Sequence, residues 1–349
     1  MTETDLEVTL GVDTHKDAHV AAVFDQLGRL LATQAFAANG AGYDDLFEWA
    51  SGYGPVVAAG VEGTGSWGAG LARSLAEAGV EIIEVNRPNR QRRRLDGKSD
   101  PADAIAAGRA VLAGDATAIA KTGTGPVEGL RMLRCARRSA NKARTQAANQ
   151  IHSLLDTAPE ALRGEFRDLA LRQIVARAAR LRPHGPLTDP LTATKIALRS
   201  LARRFQDLDH ERSYLDQQIA ELVELAAPRE LLDQYGVGPH TATALLIAAG
   251  DNPERLHNEA SFAALCGSSP VDASSGRQQR HRLNRGGDRE ANHALWRIVM
   301  VRLAHDPTTR AYLERRIKDG KTKREAIRCL KRYVARDIAR ILKRHQQTP

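Results

Sequence analysis

The chain has 349 residues, with 42% hydrophobic, 27% charged and only 4% aromatic side chains, which fits a soluble globular protein with Ala/Leu/Val-rich cores and two or three domains. Cys135, Cys266 and Cys329 stand far apart with no C-x-x-C, against a disulfide framework or a cysteine zinc site; no apolar run reaches a membrane span, and the opening MTETDLEV lacks a signal core, so the expected compartment is a prokaryotic cytoplasm. Charge is uneven: residues 1–120 hold 10 Lys+Arg against 17 Asp+Glu, and residues 121–349 hold 41 against 25, a basic excess that points to a polyanionic partner.

The first hundred residues read as strands and then alternating helices and strands. EVTLGVDT (7–14), HVAAVFD (19–25) and LLATQAFA (30–37) are three successive strands joined by short turns, with Leu27-Gly28 at the second bend. GYDDLFEWAS follows as a helix, VVAAGVE (56–62) as a buried strand, WGAGLARSLAEAG as a helix ending at Gly79, and EIIEVN (81–86) as another strand. Three antiparallel strands followed by α/β units is the order of an RNase H-like fold; a Rossmann domain alternates strand and helix from its start. The next loop, RPNRQRRRLDGKSDPADA, is too polar for a core and carries Arg90, Arg92, Arg93 and Arg94. Pro101 then suits the first turn of a helix that starts near Ser99 or Asp100 and runs to about Leu112.

Beyond residue 125 the chain is mainly helix-forming and basic. Leu133, Ala136, Ala140, Ala143, Ala147 and Leu154 follow a seven-residue period, and Leu201, Phe205, Leu208, Leu215, Ile219 and Leu222 a similar one with Arg212 as the exception. Two such helices enclosing RPHGPLTDP (182–190) form either an antiparallel coiled-coil hairpin or an ordinary helical bundle. In LLDQYGVGPHTATALLIAAG (231–250), Gly236 and Gly238 form a G-V-G turn between helices, the pattern of a helix-hairpin-helix whose amides grip a phosphate. A loop-rich segment, CGSSPVDASSGRQQRHRLNRGGDREAN, and two or three basic helices complete the chain.

The chemistry-bearing residues lie at element ends. Asp13 ends the first strand and Glu62 the fourth, while Asp100 and Asp103 stand three apart at a helix start and share one face. Neighbouring strand ends are about 5 Å apart, so Asp13 and Glu62 converge. Carboxylates gathered so closely repel unless divalent cations neutralise them, and this is the ligand set for two Mg²⁺ ions acting on a phosphodiester. Taken singly, Asp100 before Pro101 also reads as an N-cap. Gly63, Gly65 and Gly68 match the dinucleotide pattern G-x-G-x-x-G, yet they follow a fourth strand, and Glu62 occupies the place of the pyrophosphate; the glycines instead let the backbone turn beside the acids. A second candidate centre is ASSG (273–276), where a serine hydroxyl stands among Arg277, Arg280, Arg282 and Arg285, cations suited to a developing phosphate charge.

The segments GVDTHKDAHVAAVFD, GVEGTGSWGAGLAR, RPNRQRRRLDGKSDPADA, YGVGPHTATALL, SPVDASSGRQQRHRLNRGGDREANHAL and EAIRCLKRYVARDI, in this order, resemble the DEDD-type insertion-sequence transposases, the group related to the Piv/MooV DNA invertases. The resemblance implies a RuvC-like catalytic domain over 1–125 with Asp13, Glu62, Asp100 and Asp103 as its metal-binding set. It implies a helical coiled-coil linker and oligomerisation region over 126–228, and a C-terminal transposase domain over 229–349 with a nucleophilic serine. The family serine directly precedes a glycine, which selects Ser275, with Ser274 as the alternative. The resemblance further implies Mg²⁺, with Mn²⁺ as substitute, donor and target DNA chosen through a structured bridge RNA, and dimers pairing into a tetramer whose acidic and serine centres come from different subunits. Arg92, Arg93, Arg94, Gly236, Gly238, Arg277, Arg280, Arg282 and Arg285 are the expected nucleic-acid contacts. The expected activity is site-specific DNA recombination; the alternatives are a RuvC-like structure-specific nuclease, which does not need Ser275, and a protein-guided invertase. The first hairpin also resembles that of sugar kinases and other actin-like ATPases, a reading that leaves the basic C-terminal half unexplained.

Overall fold

The computed structural model describes residues 7–85, 99–274 and 281–345, and the chain divides into two compact units, residues 1–128 with 246–349 and residues 129–245. The first unit begins with a mixed five-stranded sheet. Strands β1 (Val8–Thr14), β2 (Ala18–Phe24) and β3 (Leu30–Ala37) are antiparallel; β4 (Val56–Glu62) and β5 (Glu81–Val85) join the other side of β1 in parallel, giving the order β3-β2-β1-β4-β5. These strands coincide with the expected ones to within a residue or two, and the order fits an RNase H-like N-terminal domain. The β2–β3 bend is closed by Gly28 at φ +75° and by Asp25, which accepts from the N–H groups of Leu27 and Arg29 at 3.0 and 2.8 Å.

Strand alternation separates two faces of this sheet. Leu10 and Val12 point to one side, where they pack with Leu46 of helix α1 (Gly40–Ser51) and with Leu71 and Leu75 of α2 (Ala69–Glu77), all fully buried. Helix α3 (Asp100–Leu112) covers the opposite face, where Ala104 packs with Ala22 and Phe24. Its N-cap is Ser99, whose hydroxyl accepts from Ala102 N–H at 3.4 Å. The N-cap reading of Asp100 is therefore displaced; Asp100 is the first helical residue.

The second unit is helical. Helices α4 (Pro126–Asp156) and α7 (Pro190–Ala226) run antiparallel within it, as their cross-pairs show: Arg137 meets Asp216, and Arg144, further along, meets the earlier Asp209. At the far end α5 (Glu160–Gly164) and α6 (Leu171–Ala178) close a small bundle around Ile151, Leu155, Leu162, Leu198 and Ala202. Of the expected seam, Ala140, Ala147, Phe205, Leu215 and Ile219 are buried, whereas Ala136 is exposed. The helix before the G-V-G turn is only the four-residue α8 (Arg229–Leu232), and the one after it is α9 (Pro239–Ala249).

The rest of the first unit contains α10 (Glu259–Leu265), the short ribbon β6 (Val271–Asp272) with β7 (His281–Arg282), and α11 (Arg289–His305), α12 (Pro307–Lys318) and α13 (Lys323–His345). Two polar side chains stitch this part to the chain leaving the sheet. Asp251 accepts from the N–H groups of Val127 and Glu128 at 2.8 and 3.2 Å, and Asn252 donates to Ala120 O at 2.9 Å. Asn252 is buried, so these bonds replace water that the backbone there cannot reach.

Candidate active site

The acidic site grows from a repeated pattern on two neighbouring strands. GVD (11–13) on β1 and GVE (60–62) on β4 pair in register, Gly11 opposite Gly60 and Val12 opposite Val61. In each triplet the glycine and the acid share the face toward α3, because strand side chains alternate with period two. The glycines are required there. A Cβ on Gly11 would lie 2.2 Å from Ala104 O and Gly108 N, and one on Gly60 would lie 2.7 Å from Val111 Cγ2 and 2.9 Å from Ala107 O. The helix row Asp100–Ala104–Gly108 thus crosses β1 and the row Asp103–Ala107–Val111 crosses β4. This close approach brings the first turn of α3 to the ends of the two strands.

The carboxylates gather around Asp13, which is only 6% exposed. Burial pushes its pKa above the ordinary 3.8; His15 opposes that shift, and Glu62, Asp103 and Asp100 add to it. Asp103 is also buried, whereas the side chain of Asp100 is half exposed. His15 Nε2 lies 3.1 Å from Asp13 Oδ2 and 3.3 Å from Asp100 Oδ1, and ligand atoms of these three residues fall within 4.8 Å of one another. Thr14 ties the strand ends together, its hydroxyl donating to Glu62 O at 2.7 Å. All four acids named from the sequence therefore meet. Sequence reasoning missed His15, although its position two residues beyond Asp13 is a signal, since a strand repeats its facing at that interval.

The donor set fits divalent cations. Hard carboxylate oxygens converge where the ends of β1 and β4 meet the first turn of α3, with the imidazole of His15 between Asp13 and Asp100. The glycine loop after Glu62 serves this site. Gly63 adopts φ +72°, and a Cβ on Gly68 would lie 2.9 Å from Glu62 O. Exposed Trp67, on the same loop, has its ring 6.5 Å from that of His15.

The expected nucleic-acid residues are dispersed. Arg92, Arg93, Arg94, Ser275, Arg277 and Arg280 lie outside the described residues. Arg282 is on β7 and Arg285 follows it, both exposed. Ser274 is held by Asp272, which accepts from its N–H at 2.8 Å and from its hydroxyl at 2.5 Å. Gly236 has the left-handed φ of +83° that its turn requires, while the Gly238 N–H already donates to Thr241 Oγ1 at 2.9 Å. Among the described residues no helix is long and apolar enough to cross a membrane.

Two strand-end carboxylates completed by two acids of one helix, on an RNase H-like sheet, define the DEDD type of nuclease fold. Comparison with known proteins agrees: residues 10–159 match the DEDD transposase model of the IS110 group, described as a transposase, and residues 229–314 match the transposase IS116/IS110/IS902 family. The chain belongs to the IS110-family DEDD transposases. A relative, described as an uncharacterized 43.6 kDa protein of insertion element IS110 from Streptomyces coelicolor (strain ATCC BAA-471 / A3(2) / M145), is 31% identical over 134 residues. That match covers 38% of this chain and 33% of the relative, so the chain spans about a third of the relative's length.

Proposed function

We propose that the protein is a site-specific DNA recombinase of an insertion sequence, cutting and exchanging strands with an acidic centre and a serine nucleophile. The observation that carries this reading is the meeting of Asp13, Glu62, Asp100 and Asp103 at the ends of β1, β4 and α3 in a chain of the transposase family. Residues 1–125 are the catalytic domain, 126–228 the helical linker and oligomerisation region, and 229–349 the domain that brings the serine.

Asp13, Glu62, Asp100 and Asp103 would hold Mg²⁺, for which Mn²⁺ can substitute. Bound there, two such ions supply charge neutralisation and activation of the phosphodiester oxygens. The chain's own residues do the rest. The α3 N-terminus, capped by Ser99 and carrying a partial positive charge, favours the acids of its first turn and keeps them at the strand ends. Ser275 is the nucleophile: its Oγ bonds to phosphorus as the bond from phosphorus to the leaving DNA oxygen breaks, and the serine proton, taken up by a base, is passed to that oxygen, which departs as a hydroxyl. The phosphodiester energy is kept in the serine–DNA ester, so attack by a DNA hydroxyl reverses the step and rejoins exchanged strands without a nucleotide cofactor. Ser274, already bonded to Asp272, is the neighbour to be told apart from it. A basic chain poor in aromatics suits reading of backbone and shape, with sequence choice left to base pairing of a bridge RNA with donor and target DNA.

The test is a recombination assay paired with denaturing gels. Asp13→Ala and Glu62→Ala abolish recombination with the fold retained, Ser275→Ala removes the covalent protein–DNA adduct, and Ser274→Ala keeps it. Recombination by both acid variants would sink the acidic centre, and an adduct without Ser275 would move the nucleophile. Unchanged DNA affinity on adding the RNA encoded beside the gene would remove RNA guidance.

A further inference from the structure

The C-terminal part of the first unit contains a cleft of about 590 Å³ that the acidic centre does not use. One wall is the ribbon side, Pro270 and His281–Asn284; the other is the end of α12, the turn after it and one face of α13. Ribbon strands β6 and β7 are the chain neighbours of the ASSG segment. The walls are strongly basic, and the cations divide into two groups by what they already bind.

Arg336 and Lys331 are committed to the fold. Arg336 Nε donates to Glu259 Oε2 at 2.9 Å, joining α13 to α10, and the buried Lys331 Nζ donates to Asn292 Oδ1 at 2.6 Å. Arg328 and Arg332 are not so engaged. They stand one turn apart on a single helix row that continues to Arg336, and like charges four residues apart repel. Arg328 reaches Glu325 only at 3.8 Å, and Arg332 makes no ion pair among the described residues. Across the cleft stand Arg316, whose Nη1 is 3.2 Å from Asp319 Oδ2, and Lys321. Two acids, Asp319 and Glu325, thus face a clear excess of cations. Beside them the exposed ring of Tyr333 meets Tyr312 edge-on at 5.7 Å, offering an open face.

We propose that this cleft receives a single strand of nucleic acid, with Arg328, Arg332 and Lys321 on successive backbone phosphates and the ring of Tyr333 against a base. A stripe of arginines is costly to hold together without an anion, and a phosphodiester chain supplies anions at regular spacing. An aromatic face beside a basic track is the pairing that single strands use, whatever their sequence. The inference rests on the reading of the protein as a nucleic-acid recombinase and adds a strand-holding site to it.

The experiment measures fluorescence anisotropy of labelled single-stranded DNA and of RNA of the same sequence with the full chain in EDTA, over a range of salt. No turnover occurs there, so a protein that never recombines can still bind the strand, and one that recombines can still fail this test. Arg328→Ala and Arg332→Ala each weaken binding severalfold and lower the slope of log affinity against log salt by about 0.7, the value for one single-strand phosphate contact. Tyr333→Ala weakens binding with the slope unchanged, and Tyr333→Phe retains it. Arg180→Ala, on the exposed surface of the other unit, is the control for bulk charge. A change with DNA alone assigns the strand as DNA, with RNA alone as RNA, and with both to the shared phosphate chemistry. Wild-type slopes in the arginine variants, or an equal loss in Arg180→Ala, overturn the proposal. Should either arginine variant melt early, Lys321→Ala in the turn after α12 carries the same slope measurement, and a wild-type slope there rejects the site.

Discussion

Asp13 sits in conflict between folding and chemistry. Its burial beside three other acids raises its pKa, so the folded state holds its proton more tightly than the unfolded chain does. Stability is therefore lost as pH rises from the ordinary 3.8 through the raised value, the opposite of a salt-bridged carboxylate. In metal-free buffer at pH 7, Asp13→Asn should melt above the wild type, with the gap closing as pH falls toward 3.8. Adding Mg²⁺ should raise the melting temperature of the wild type and leave the variant unmoved; thermal unfolding at several pH values checks both statements. Gly11 is the other decisive residue. A Cβ there would stand only 2.2 Å from Ala104 O and Gly108 N, so Gly11→Ala forces α3 away from β1. Overpacking of this kind costs about 1–3 kcal/mol or more, and it displaces Asp100 and Asp103. Denaturant titration should show the loss, and the Mg²⁺-induced rise should disappear with it.

At the scale of elements, charged pairs decide how helices meet. Arg212 interrupts the apolar repeat of α7, and in the structure it bonds Asp209 and Asp216 on its own helix while Arg144 and Arg137 reach the same acids from α4. Asp216 also lies 3.4 Å from His240, so it serves three partners. Its side chain is 24% exposed, which discounts the figures for fully buried pairs. Asp216→Ala should destabilise the helical unit by roughly 1–2 kcal/mol, while joint replacement of Arg137 and Asp216 by Leu should cost less than the single change. A double-mutant cycle measures the difference. Glu259 behaves in the reverse sense to Asp13. Arg340 and Arg336 hold its carboxyl below the ordinary 4.5, so its contribution is present above pH 4.5 and fades as pH falls through the lowered value. Glu259→Gln should lower the melting temperature at pH 7 and converge with the wild type in acid.

For the whole molecule, the question is where the serine meets the acids. Some 170 residues separate Asp103 from Ser275, and the helical unit of residues 129–245 is inserted between the two parts of the other unit. The proposed function has the serine donated by a neighbouring subunit. On that reading, mixing Asp13→Ala with Ser275→Ala protein should restore part of the activity, because some mixed sites combine an intact acidic centre with an intact serine. Verified hetero-oligomers as inactive as either variant at every ratio would reject the shared site.

Much of this was legible in the residues because it depends on local periodicity. Short apolar runs bounded by turn residues marked the five strands, the strand-to-helix order separated this fold from a Rossmann domain, and the acids named from element ends are those that meet. Strand parity and the three-residue step between Asp100 and Asp103 are short-range geometry, and any folded form of the chain must honour them. Tertiary structure alone decided the rest. The sequence shows GVD and GVE but not that Gly11 and Gly60 lie in register beneath one helix, since strand pairing across 49 residues is set by packing and not by local preference. His15 gained its place between Asp13 and Asp100 only when α3 closed over β1. Arg328 and Arg332 looked like one more basic helix face until the ribbon and α12 enclosed them. A side chain's charge is written in the chain; what surrounds that charge, and so its pKa, its partners and its use, comes from segments that only folding brings together.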